Sequence, residues 1–164
     1  MKELERLKYC IERFDHYFDS VNNKNNILLG FITFIVGGLV GLYPSLLQKV
    51  NITLSLQVMY FITIGLGILS MLLMIIAATP FLKSENVSLF YFGSISKMSR
   101  EDFLQKSETQ TFSNELIDLR EQAFVLASGL HNKFLILRTA CVIITIQFVL
   151  FIPIIILLIK NLKQ

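Results

Sequence analysis

Between Thr139 and Ile159 the chain carries 21 consecutive residues without a charge. A helix of that length, rising about 1.5 Å per residue, covers the roughly 30 Å of a bilayer's hydrocarbon core. Two further blocks share this property. Asn25 to Gln48 is uncharged over 24 residues, and Val50 to Leu82 over 33. Three membrane spans follow. The composition agrees: 54% of the residues are hydrophobic and the mean hydropathy is +0.62, too apolar for an ordinary soluble domain. The first block follows a charged segment and lacks an A-x-A-like site after it, so it is not a removable leader.

The polar stretches beside these blocks are patterned for helices. Leu4, Leu7, Ile11, Phe14, Phe18 and Val21 alternate gaps of three and four, a coiled-coil-like seam. It predicts an amphipathic helix over 1–24 that continues into the first span. Leu116, Leu119, Ala123, Leu126 and Leu130 repeat the pattern before the last span, and no proline lies between Leu82 and Ile152. A single helix is therefore expected to start in water at a cap on Ser113 or Asn114 and end in lipid. Span one, about 27–47, ends at Tyr43-Pro44; span two, about 56–79, ends at Thr79-Pro80. Their short connection makes them an antiparallel hairpin, and the third span occupies 134–160. The loop 81–133 is too long for a mere connection. It holds the aromatic run Leu89 to Gly93, with Gly93 as terminator. A short helix follows, capped by Ser99, with Glu101 and Asp102 favouring its positive end and the polar segment Lys106 to Thr111 breaking it.

Charge sets the expected orientation. Five Lys/Arg precede span one (Lys2, Arg6, Lys8, Arg13, Lys24). Lys49 lies between spans one and two. Seven lie in the long loop and the base of span three, Lys83 and Lys106 among them, and Lys160 and Lys163 follow. The positive-inside rule puts the N-terminus and the long loop in the cytoplasm and the C-terminus outside. The fold class is an all-α membrane protein with three transmembrane helices and a small cytosolic helical domain. Three spans enclose no conducting path, so a homo-oligomer is expected. Gly37 and Gly41 form a GxxxG on span one that permits close helix approach, and Gly65, Gly67 and Ser70 give span two a small-residue surface.

Cys10 and Cys141 lie on different kinds of segment, which argues against a disulfide or metal site. No HExxH, phosphate-cradling glycine loop or Ser/His/Asp arrangement is present. An enzyme, a metal and a cofactor are therefore not expected.

The order of features resembles a known family. Asn22-Asn23-Lys24-Asn25 enters span one. The run Leu89 to Gly93 is followed by Ser94-Ile95-Ser96. Gln122, Leu126-Ala127 and Lys133 lead into span three. Together these resemble the small transmembrane effectors of bacterial anti-phage nucleotide-signalling systems: Pycsar-type effectors and the similar membrane effector of Hailong systems. The resemblance implies an inner-membrane protein controlled by a nucleotide or a DNA or RNA oligomer made by a partner nucleotidyltransferase or cyclase, and a membrane lesion that ends in abortive infection. The leading reading is a homo-oligomeric, ligand-gated ion channel or pore that depolarises the membrane; a non-conducting anchor or assembly subunit, and a holin-like lesion former without a ligand, are the alternatives.

Several positions bear on this. Asn25 and Lys133 fall where their seams should be apolar, at the membrane edge. With Lys24 and Arg138 they suit a wet, positive vestibule for an anionic ligand; the other reading is snorkelling to lipid headgroups. Gln147, near the middle of span three, is either glue between helices or a polar ring in a pore also walled by Ile143, Leu150 and Phe151. Tyr91 either stacks on a base or belongs to a small core. Arg120 either extends the basic patch or is surface charge.

Overall fold

The computed structural model describes residues 2–79 and 88–161. Pro80, Lys83 and Lys163, invoked above for a span end and the charge count, lie outside them. The described chain is helical: α1 Lys2–Lys49, α2 Leu54–Ala78, α3 Phe92–Ile95, α4 Arg100–Thr109 and α5 Phe112–Lys160. Three of these, α1, α2 and α5, are long and apolar enough to cross a membrane. The chain divides into two compact units. One, the polar unit, comprises 1–20 and 80–133; the other, the membrane unit, comprises 21–79 and 134–164.

In the membrane unit, α2 buries Leu56, Tyr60, Thr63, Gly67, Ser70, Met74 and Ala77. Gaps of four and three repeat along the whole helix, the period at which one face stays turned to its neighbours. Two clusters fill the interior. Ile32, Val36, Met74, Ala140 and Ile144 form one; Val50, Leu56, Tyr60 and Ile154 form the other. The α1–α2 turn is fixed by Thr53, whose hydroxyl accepts from Leu56 N at 3.4 Å, and Asn51 N donates to Asn161 O at 2.8 Å. Most other large side chains face outward, Phe34 at 80% exposure among them, as lipid permits.

Pro44 does not end the first helix, contrary to the expectation. It lies inside α1, which runs on to Lys49, and Pro153 likewise lies inside α5. Proline forfeits one helical hydrogen bond, whereas unwinding there in lipid would strand several backbone groups. The small residues of α2 also separate. Gly67 and Ser70 face inward, while Gly65 meets open space.

In the polar unit, Ser99 caps α4 as expected, accepting from Asp102 N at 3.0 Å. The helix persists to Thr109, through most of the segment expected to break it, and Thr109 bonds back to Gln105 O at 2.9 Å. The cap of α5 is Thr111, accepting from Asn114 N at 3.3 Å, not Ser113 or Asn114. Gly93 lies within the single turn α3 and does not terminate the aromatic run.

Candidate functional site

The aromatic run of the polar unit is clasped to α5. Ser88 is buried, and its hydroxyl accepts from Phe90 N and Tyr91 N, both at 3.1 Å. That is a serine turn closing the backbone on itself. Gln122 Nε2 reaches the same oxygen at 3.5 Å. Asp118 Oδ2 accepts from Leu89 N at 3.0 Å, a charge-assisted bond and so the strongest of the set. Tyr91 then lies over Gly93, where a Cβ would stand 2.5 Å from the ring; only glycine leaves the ring its place. The ring also meets Phe92 at 5.1 Å between centroids, and Phe92 itself is largely exposed.

Ion pairs join the start of α1 to the start of α5. Arg120 donates from Nε and Nη2 to Glu3 Oε1 at 3.0 and 2.7 Å, Arg6 stands 3.8 Å from the same carboxylate, and Lys8 pairs with Glu115 at 3.4 Å. The Arg120 hydrogen bonds, helped by the charges of Arg120 and Arg6, hold the Glu3 carboxyl below its usual range. Deeper, Lys133 is buried and its ammonium lies 5.8 Å from the centre of the Phe18 ring, within reach of a cation–π attraction. Burial pushes the Lys133 ammonium below its ordinary value, because a low-dielectric surrounding disfavours charge. Arg13 lies between Tyr9 and Tyr17, at 5.8 and 5.6 Å from the ring centres, and donates to Tyr17 Oη at 2.5 Å.

The membrane unit holds a polar column in its interior. Asn25 is 1% exposed and donates to Met74 O at 3.1 Å. Ser70 bonds Gly67 O and Thr63 bonds Met59 O, both at 2.8 Å. Gln147 is fully buried, and neither its carbonyl oxygen nor its nitrogen has a partner among the described residues. No metal-binding cluster occurs among the described residues.

The resemblance rested on Asn22-Asn23-Lys24-Asn25 at the entry to span one, the run Leu89 to Gly93 with the serines after it, and Gln122, Leu126-Ala127 and Lys133 before span three. A comparison with protein families matches the Pycsar effector protein domain over residues 6–160. The chain belongs to the Pycsar effector family. No curated protein and no solved structure matches it. The family is one of transmembrane effectors of anti-phage defence and is not a known family of enzymes.

In this Pycsar effector the residues singled out from sequence lie in distinct surroundings. Lys133 is buried beside Phe18, Tyr91 is half-buried in the clasp, and Arg120 is exposed and paired with Glu3. In the membrane unit, Lys24 and Arg138 are exposed and Asn25 is interior. Gln147 is interior too, while Ile143, Leu150 and Phe151 are half-buried. A Cβ at Gly37 or Gly41 would meet nothing within 4 Å, so neither packs the chain's own helices. Sequence reasoning missed Glu3, Ser88 and Asp118, and grouped the inward Gly67 with the outward Gly65. Only Gly67 carried a readable signal, its place in the heptad spacing of α2.

Proposed function

We propose that this effector forms a homo-oligomeric channel or pore in the bacterial inner membrane, opened or closed by a nucleotide that a partner cyclase or nucleotidyltransferase makes. Its activity would depolarise the infected cell and abort phage propagation. The observation that carries the reading is the family match across all three spans, 6–160, in a chain too small to enclose a path alone.

The charge pattern supports a cytoplasmic N-terminus and polar unit and a periplasmic C-terminus. Lys133 is the first choice for the anionic ligand, because its seam position is buried and its ammonium meets a ring face. A phosphate arriving there would restore charge stabilisation that burial removes. Lys24, Asn25 and Arg138, within α1 and α5, are proposed contributors, with Tyr91 as a stacking platform and Arg120 as a further cation. Gly37 and Gly41 offer an open, side-chain-free strip for a neighbouring copy. The pore wall is assigned to α5, through Gln147, Ile143, Leu150 and Phe151; such a wall resists wetting until it rearranges.

The test is binding of the four 3′,5′-cyclic ribonucleotides to protein in nanodiscs. Lys24→Ala and Lys133→Ala are each expected to weaken binding while insertion and assembly persist. Wild-type affinity in both would move the site towards Lys106 and Arg120.

A further inference from the structure

At Gly67 on α2, side chains of both other long helices come up against the backbone. A Cβ built there would lie against Val36 Cγ2 from α1, closer than real Cβ atoms approach anything. It would also lie 2.9 Å from Gln147 Nε2 and 3.6 Å from Gln147 Cδ on α5. The notch left by the missing side chain is therefore filled from both sides, and one of the two fillers is an amide. That amide is fully buried, and neither of its polar atoms is satisfied among the described residues.

The combination is unusual in a membrane interior. Hydroxyls there satisfy themselves on their own helix, as Ser70 and Thr63 do. Asn25 reaches a carbonyl of the neighbouring helix. Gln147 does neither. Apolar side chains of the same length would fill the notch as well, so close packing alone does not call for an amide. An amide that packs well and bonds poorly marks an arrangement that competes with another in which its bonds are made. In an assembly of identical chains that other arrangement is at hand: the same residue of a neighbouring copy, or water in an opened path.

We propose that Gly67 is the seat in which Gln147 holds α5 closed against α1 and α2, and that withdrawal of the amide from this seat is the activating motion. The proposal rests on the channel reading and adds its mechanical element. In the silent state Gln147 does not face a pore; it is exchanged from a contact within one chain to contacts outside it. The neighbouring face residues Ile143, Leu150 and Phe151 are half-buried already, so a modest turn of α5 brings the group outward together.

Filling the seat tests this. In a background with Cys10 and Cys141 replaced by serine, cysteines at Met74 and Ala140, which share one packed cluster, report the closeness of α2 and α5 through disulfide crosslinking promoted by iodine, which enters the membrane interior. The full chain is reconstituted in vesicles loaded with potassium, without nucleotide. Gly67→Ala is expected to lower crosslinking at least fivefold and to leak without a signal. Gly67→Ala with Gln147→Ala is expected to recover wild-type crosslinking. Should Gly67→Ala fail to accumulate, Val36→Ala with Gly67→Ala clears the nearer clash, keeps the one with the amide, and carries the same expectations. Undiminished crosslinking in these seat-filling variants overturns the proposal, as does a leak with the crosslink intact. Reduced crosslinking with no leak in any variant, and none from wild type given the four cyclic ribonucleotides, supports the seat and overturns the channel reading.

Discussion

Replacing Gln147 by methionine should make the membrane unit more stable. The side chain is fully buried with both amide atoms unpaired, and a buried unsatisfied group costs about 1–3 kcal/mol. Methionine is unbranched, of similar length and without polar atoms, so it keeps the contact with the Gly67 notch and removes that cost. The unfolded reference offsets part of the gain, because an amide on a separated helix in detergent also finds partners. A net stabilisation of about 1–2 kcal/mol remains, a factor of roughly 5–30 in the folded-to-unfolded ratio. The assay is equilibrium unfolding in mixed detergent micelles followed by near-ultraviolet circular dichroism. The rings of Tyr43 and Tyr60, 5.5 Å apart between centroids, supply a signal that is lost when the helices separate. Gln147→Ala, which leaves a cavity, should not share the gain. A destabilised Gln147→Met protein would show that the amide makes bonds the folded unit needs, and would refute the reasoning.

Asp118→Ala should release the clasp. A hydrogen bond to a charged group contributes about 1.5–3 kcal/mol, so protection of the Leu89 amide from hydrogen exchange should fall roughly 10- to 150-fold; unchanged protection would remove Asp118 from the clasp. The Glu3–Arg120 pair should respond to acid. Because the folded carboxyl titrates below its ordinary value of 4.5, the pair's contribution is present above that value and lost as pH falls through the lower folded one. The Arg120 Hε resonance should shift in that window in wild type and not in Glu3→Gln, and identical titrations would dissociate the two residues. A topology reporter fused after the last residue should read as periplasmic and one inserted at Lys106 as cytoplasmic; the reverse would overturn the charge argument.

The long helices were legible because their seams are regular. Leu7 and Val21 in α1, and Leu119 and Leu130 in α5, occupy the buried positions that the spacing implies. Carried further, the α5 seam passes through Lys133, Leu137, Ala140, Ile144 and Gln147, all buried. Gln147 is thus interior by the same periodicity that placed Leu130, although a polar residue invites a pore reading first. The helix ends were less legible. Proline and glycine are local signals, and in lipid the demand for backbone hydrogen bonds outweighs them at Pro44 and Pro153. The clasp was not legible. Ser88 and Asp118 are common polar residues 30 positions apart, and only the fold brings the aromatic run onto α5. The Glu3–Arg120 pair, 117 positions apart, is the same case.

The central claim is conduction, and current across a planar bilayer tests it most directly. Purified effector is reconstituted and exposed in turn to the four 3′,5′-cyclic ribonucleotides. Wild type is expected to show a current that one of them switches. Gln147→Leu is expected to reduce the open current and Gln147→Glu to shift it towards cations, as a ring of like side chains at a narrow wall requires. The Gly67→Ala protein supplies a nucleotide-independent route to the same state. Protein that inserts and assembles yet passes no current in wild type, with or without nucleotide, and none in Gly67→Ala, would contradict the account.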